Sequence, residues 1–459
     1  MKNLTIENIT RAASGTFYGD PGILQKEITS VTTDSRKTEP GCLYVPIVGE
    51  RVDGHSFIPQ VREAGALITL TEKSPEETGE PCIHVESSLQ AVKDIAAFYL
   101  SQLSIPVVGI SGSVGKTSTK EAVASVLKEK YNTLKTLGNF NNELGLPLTI
   151  FRLRDEHEIA VLEMGISDFG EMSRLAAVAR PDTGVITNIG TCHLEFLGDR
   201  DGVFRAKTEM FDFIRPDGHV VLNGDDDKLC SVADVHGIRP VFYGLSKDHP
   251  VYADEIKSCG LRGTDCRIHL GNESFPVHIP VPGKHNVYNA LAAAAVGSIY
   301  GLTEEEICRG IESIETISGR FRMIETPDYL VVDDCYNASP ASMKGSLDIL
   351  RDADGRVAAI LGDMGELGKD EAEMHREVGR HAASCGLDLL ICVGELSKEM
   401  AGAAEEAAGE NSELQVVWEK DRDSLLKDLP SLLKKGDTVL VKASHFMHFE
   451  KVVSFLTDR

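Results

Sequence analysis

Short apolar runs alternate with amphipathic stretches along most of this chain. From Ile105 onward the runs IPVVGIS (105–111), IAVLE (159–163), TGVITN (183–188) and HVVLN (219–223) are brief, β-branched and nearly continuous in apolar residues. Such runs read as strands covered on both faces, with helices between them, so an α/β fold with mostly parallel sheets is predicted. A second set, YLVVDD (329–334), RVAAILG (356–362), DLLICVG (388–394), LQVVW (414–418) and DTVLVK (437–442), alternates as cleanly and predicts a Rossmann-like sheet. No Gly-x-Gly-x-x-Gly follows its first strand, which argues against a nicotinamide site. The first hundred residues hold the run CLYVPI (42–47), the helical stretch FIPQVREAGA (57–66) and the strand ALITL (66–70).

Three domains follow from this layout. A small N-terminal α/β domain takes residues 1–104. A central P-loop ATPase-like domain with a parallel sheet takes 105–317 and closes with a helical stretch from Asn286 to Ile311. A C-terminal Rossmann-like domain takes 318–459.

The most specific motif is Gly112-Ser113-Val114-Gly115-Lys116-Thr117-Ser118, between the strand at 105–111 and a helix that starts near Thr117. Glycines let backbone N–H groups curl around phosphate oxygens, and the helix N-terminus adds its positive end. Lys116 would neutralise terminal phosphates and the Thr117 hydroxyl would ligate Mg²⁺. The loop is a short variant, because Ile110 stands where a strict P-loop has glycine.

The segment 201–214 reads as an amphipathic helix. At about 100° per residue, Val203, Ala206, Met210, Phe211 and Ile214 share one face, and Lys207 falls inside that arc. A lysine there snorkels, pairs or does chemistry. Glu163 ends one strand and His193 follows another, both at carboxyl edges, where open α/β sheets bind ligands. With Thr117 these residues make a candidate Mg²⁺ shell. A free Lys207 ammonium would repel the ion, whereas a carbamylated lysine would offer anionic oxygens.

Composition narrows the partners. Lys and Arg total 47 against 71 Asp and Glu, a net charge of −24, which argues against nucleic acid and against an anionic membrane surface. The start MKNLTIENIT carries no signal-peptide pattern, and the apolar stretch Ala290 to Ile299 is too short to span a bilayer. The ten cysteines lack a Cys-x-x-Cys pair, so neither a zinc site nor a disulfide framework is signalled. A cytoplasmic monomer is the expectation.

Taken together these residues resemble the Mur ligase family, over nearly the whole chain. The resemblance implies ATP, two Mg²⁺ ions and a carbamylated lysine in the stretch Lys207-Thr208-Glu209, with His193 and Glu163 as further metal ligands. It implies that Lys116, Lys207, His193 and Arg320 are catalytic. It assigns the nucleotide to Gly112, Ser113, Gly115, Lys116, Thr117 and Ser118, to Asn286 and Asn289 of HNVYNA (285–290), to Arg320 after Gly319, and to Asp334 and Asn337 of DDCYNASP (333–340). Read by themselves, Asn286 is also a candidate helix cap and DDCYNASP a candidate turn. Four stretches, Gly138 to Asn142, Glu163 to Gly165, His193 to Glu195 and Leu361 to Gly368, resemble the branch that adds D-alanyl-D-alanine.

That branch implies UDP-N-acetylmuramoyl-tripeptide and D-alanyl-D-alanine as partners, with Ser35, Arg36, Asn141, Asn142, Tyr336 and Asn337 as substrate contacts and the N-terminal domain as the UDP-binding one. The stretch Gly49 to His55 resembles the UDP-binding region as well. One departure is Lys442-Ala443-Ser444-His445, where the family usually shows arginine last. The nearest rival is folylpolyglutamate synthetase, a related ligase without a UDP-type first domain. A P-loop switch ATPase is a more distant one, and the strand IAVLE ends in Glu163 rather than in a Walker-B aspartate.

Overall fold

The computed structural model describes residues 1–49, 52–316, 318–409 and 412–458. The chain folds as two compact units: residues 1–190, 201–243 and 295–302 in the first, and 191–200, 244–294 and 303–459 in the second.

The first unit carries a small sheet and a larger one. In the small sheet the order is Thr16–Tyr18, Cys82–His84, Ile68–Thr71, Leu43–Tyr44, Val31–Thr32, with only the first pair antiparallel. In the larger one, parallel strands run in the order Val241–Gly244, His219–Asn223, Thr183–Ile186, Val107–Ser111, Ile159–Glu163, Thr133–Lys135. Every residue of Val107–Ser111, Ile159–Glu163 and Thr183–Ile186 is buried, as their apolar runs require of strands covered on both faces. The chain leaves Val107–Ser111 toward one side of the sheet, through Thr133–Lys135 to Ile159–Glu163. It then crosses to the other side for Thr183–Ile186. That reversal opens a crevice at the carboxyl end of Val107–Ser111, where the phosphate loop begins.

Helix Lys116–Lys128 lies after that loop and buries Ala122, Val123, Val126 and Leu127, each Val or Leu worth roughly 2 kcal/mol. Glycines let another element approach the sheet closely. A side chain at Gly184 would lie 2.7 Å from Ile214 Cδ1, and Met210 packs over both Gly109 and Gly184. The segment carrying Lys207 is thereby pressed onto the sheet.

The second unit contains an antiparallel meander, Val251–Ser258, Thr264–Leu270 and Glu273–Ile279. It also contains a six-stranded sheet in the order Arg322–Glu325, Tyr329–Asp333, Asp437–Lys442, Val357–Gly362, Leu389–Val393, Gln415–Glu419. Only its first pair is antiparallel, and helices cover both faces around two apolar cores.

Three local expectations change. The stretch 286–311 is not one helical run but two helices, Lys284–Ile299 and Glu304–Glu312. Gly301 at φ +68° ends the first, and a capping box between Thr303 and Glu306 starts the second. The segment 201–214 is α-helical only over Arg200–Thr208 and tightens into a 3₁₀ turn at Glu209–Phe213. There Glu209 accepts from Gly170 N, Ser173 N and Ser173 Oγ at 2.9–3.0 Å, so it caps the helix Glu171–Ala179. The antiparallel meander was not foreseen. Among the described residues, no helix is long and apolar enough to cross a membrane.

Candidate functional site

Strand Val107–Ser111 runs directly into the glycine loop, and the end of the neighbouring strand stitches that loop in place. Ser113 N donates to Asn188 O (3.0 Å), and Val114 N donates to Asn188 Oδ1 (3.0 Å). Thr187 Oγ1 and Asn188 Nδ2 both donate to Val114 O (2.7 and 2.8 Å), and Gly190 N donates to Ser113 Oγ (2.8 Å). Gly112 and Gly115 hold φ values of +152° and +83°. The Lys116 ammonium donates to Gly112 O (2.9 Å) and reaches Ser113 O (3.4 Å), folded back over the loop where terminal phosphates would lie. Ser118 is half-buried on the first turn of the helix.

A Cβ at Gly112 would lie 1.9 Å from Thr187 Oγ1. Gly112→Ala is therefore expected to break the Thr187–Val114 bond and destabilise the loop by about 1–3 kcal/mol. Calorimetric titration with ADP should show at least about ten-fold weaker binding, the equivalent of 1.4 kcal/mol. Unchanged ADP affinity would remove the loop from the nucleotide site.

Beside the loop, Thr117 Oγ1 donates to Glu163 Oε1 (3.1 Å), which also accepts from Asn141 Nδ2 (2.8 Å). Glu163 N donates to Thr136 Oγ1 (3.0 Å). Glu163 is buried, and its second oxygen, Oε2, has no hydrogen-bond partner. Its nearest counter-charge is Lys120 Nζ at 3.8 Å, itself only 1% exposed and bound to Glu121 Oε1 (3.0 Å) and Thr136 O (2.8 Å). Lys120 was missed from the sequence. Yet it lies one turn after Lys116, on the face that buries Val123 and Leu127, so the reasoning applied to Lys207 would have found it.

These residues fit Mg²⁺. A hydroxyl and a carboxylate with a buried, unsatisfied oxygen form the hard oxygen set that ion takes. Lys207 is 1% exposed and does not snorkel, which leaves pairing and chemistry as its readings. Asn142 spends its side-chain carbonyl on Leu144 N (3.2 Å) and Gly145 N (2.8 Å), starting the helix Gly145–Ile150. In the next position Glu143 joins Lys93 and Arg174, each at 2.6 Å, which anchors the loop that presents Asn141.

In the N-terminal part, Arg36 folds its guanidinium onto Asp34 with two bonds of 2.9 Å, and that contact holds the Asp34 carboxyl down at about 2. The guanidinium fork is closed on this carboxylate, beside Ser35 in the same turn. Glu50 and Arg51 of the UDP-type stretch lie outside the described residues, whereas His55 bridges Asp53 (2.7 Å) and Glu72 N (3.0 Å).

Other candidates belong to the second unit. His193 takes a left-handed conformation (φ +52°) at the start of the helix Leu194–Leu197, with Nδ1 3.6 Å from Glu366 Oε2. Asn286 Nδ2 donates to Pro282 O and Asn289 Nδ2 to Asn286 Oδ1, both at 2.8 Å. Arg320 lies over the ring of Tyr336, 4.2 Å from its centroid, and His445 stacks on the same ring at 5.7 Å. The departure at position 445 thus keeps a flat, polar side chain against Tyr336.

Asp334 is fully engaged. Oδ1 accepts from Phe321 N (3.1 Å), and Oδ2 accepts from Ser346 Oγ (2.6 Å) and Lys442 Nζ (2.5 Å). Lys442 also reaches Asn337 O (3.2 Å), which leaves the Asn337 side chain exposed at the tip. The Cys335 thiol is driven up by burial and by Asp333, so it stays protonated and donates to Asp333 Oδ1.

Comparisons with known proteins give the family. Three family models match: the Mur ligase family catalytic domain over residues 27–100, the Mur ligase middle domain over 110–297, and the Mur ligase glutamate ligase domain over 319–445. The UDP-N-acetylmuramoyl-tripeptide–D-alanyl-D-alanine ligase of Bacillus subtilis (strain 168) is 37% identical over 459 residues, covering 99% of this chain and 98% of the relative. A crystal structure of MurF from Acinetobacter baumannii superposes with a TM-score of 0.88 at 31% identity and 99% coverage of both chains. MurF ligase from Thermotoga maritima in complex with ADP gives a TM-score of 0.81 at 30% identity, over 93% of this chain and 96% of that one. The chain belongs to the Mur ligase family.

Proposed function

We propose that this chain is an ATP-dependent ligase joining D-alanyl-D-alanine to UDP-N-acetylmuramoyl-tripeptide through an acyl phosphate, in cell-wall precursor synthesis. The observation that carries the reading is the Thr117–Glu163 pair beside the glycine loop, with one carboxylate oxygen buried and unsatisfied. The full-length likeness to relatives bearing that name supports the choice of substrates.

A carboxylate does not acylate an amine unaided, because its oxygen is a very poor leaving group. Attack of the tripeptide carboxylate on the γ-phosphorus of ATP breaks the bond to the β-phosphate oxygen, releasing ADP and leaving an acyl phosphate. The dipeptide amine then attacks the acyl carbon, phosphate departs, and the ammonium proton passes to solvent. Two anions must touch in the first step, so the chain's task is charge compensation and alignment. The loop N–H groups and Lys116 hold the triphosphate, while Asn141 and Lys120 fix the Glu163 carboxylate. Mg²⁺, held by Thr117 and Glu163, would supply the remaining positive charge.

For Lys207 we favour carbamylation: the ammonium gives one proton to solvent, and the neutral amine adds to CO₂ and sheds a second, which converts a cation into an anionic oxygen pair. For His193 and Arg320 the assignment rests on their motifs. Residues 1–104, 105–317 and 318–459 are taken to serve UDP-substrate, ATP and dipeptide respectively.

An ADP-release assay tests the reading. Sustained ADP release should require UDP-N-acetylmuramoyl-tripeptide and D-alanyl-D-alanine together, with one peptide bond formed per ADP. Equal release with ATP alone would make the protein a nucleotide switch instead.

A further inference from the structure

We infer that the chain carries a second, thiolate-containing metal site, built for Zn²⁺ from Cys259, Asp265 and His278. The ligand atoms of these three residues all lie within 4.8 Å of one another. His278 Nδ1 is 2.7 Å from Asp265 Oδ1, and Cys259 Sγ is 3.3 Å from Asp265 Oδ2. Tetrahedral zinc, with bonds of about 2.0–2.3 Å, sets its ligand atoms roughly 3.3–3.7 Å apart, so adjustments of under about 1.5 Å would admit the ion. Thiolate, imidazole and carboxylate together select a borderline-soft ion and disfavour Mg²⁺ or Ca²⁺. The fourth position would be water. On binding, the Cys259 thiol proton leaves to solvent.

The scaffold is firm. Asp265 and His278 are direct cross-strand partners in the meander, and Cys259 sits in the turn that joins its first two strands, closed by Cys259 N donating to Gly263 O (2.9 Å). Both carboxylate oxygens of Asp265 already face the other two ligands, and contact first with His278 and then with Cys259 keeps this carboxyl below its ordinary range. Lys257 is the register partner of Asp265, and Arg267, further along the same strand pair, is engaged by Glu255.

A second cluster, Asp348, His381 and Cys385, makes an instructive contrast. There Arg351 reaches both Asp348 Oδ1 (3.5 Å) and Cys385 Sγ (3.7 Å), so a guanidinium already fills the cation's place, and Cys385 is buried. The Cys259 turn also docks on the C-terminal core: Ser258 Oγ donates to Asp352 Oδ2 (2.8 Å), and Leu261 packs against the cluster containing Met343 and Leu350. A bound ion would therefore stiffen the turn that rests on the six-stranded domain, a structural role rather than a catalytic one.

The test needs no substrate, so its outcome is independent of the ligase assignment. The intact, reduced chain is titrated with Zn²⁺ against a chromophoric chelator, and with Co²⁺ to read thiolate-to-metal absorption. One Zn²⁺ per chain is expected, with a rise in thermal midpoint. Cys259→Ser and His278→Ala should each weaken binding at least about ten-fold and cancel that rise. Cys259→Ser should also abolish the Co²⁺–thiolate band, while Cys385→Ala keeps both. No binding in competition with the chelator, or binding that survives Cys259→Ser, overturns the site.

Discussion

Lys207→Ala is expected to cut ADP-forming turnover about a thousand-fold, the scale seen when a preorganised electrostatic partner is removed from a water-excluded site. The side chain is 1% exposed on a segment held to the sheet by Met210 and Ile214, so a charged ammonium there carries a desolvation cost. A carbamate resolves that cost if it meets a metal. The same chemistry predicts that stripping CO₂ from wild-type enzyme lowers activity and that bicarbonate restores it. Isotope-labelled bicarbonate should also deliver a carbamate resonance that Lys207→Ala lacks. If CO₂ removal leaves turnover untouched and the alanine variant works normally, Lys207 is an ordinary buried lysine.

Lys120→Met should cost on the order of 3 kcal/mol in stability, because it strands a buried charge. Glu121 would keep Lys135 as a partner, but Glu163 Oε2 would lose its nearest cation. The thermal midpoint should fall by about 6–12 °C on the usual scaling for domains of this size. Adding Glu163→Gln removes the stranded charge, so the double variant should recover most of the loss while remaining inactive. Should both variants melt at the same depressed temperature, the two groups are not coupled and Lys120 matters only for packing.

The parallel sheets and the phosphate loop were legible in the sequence because their signals are local: continuous apolar runs, and glycines with a lysine between a strand and a helix. The meander at 251–279 was not read. Its strands bury only alternate positions, such as Cys266 and Ile268 or Phe275, Val277 and Ile279, and these were lost among polar neighbours. The break in the stretch 286–311 had a signal, Thr303 three residues before Glu306, that an alanine-rich run obscured. At the site, Glu163 and Thr117 were found because each ends or begins an element. Asn141, Thr136 and Lys120 act on Glu163 from other elements, and no spacing in the chain announces such meetings.

The strand Asp437–Lys442 lies between Tyr329–Asp333 and Val357–Gly362, although it follows the other five strands of its sheet in the chain. During synthesis the earlier strands must therefore wait as two separate ribbons, each with a bare inner edge. Only when the ribosome has delivered residue 442 can the halves zip together, and Lys442 then locks Asp334 in the same event. A nascent chain stalled before that point would expose two hydrogen-bonding edges, an open invitation to chaperones or to aggregation.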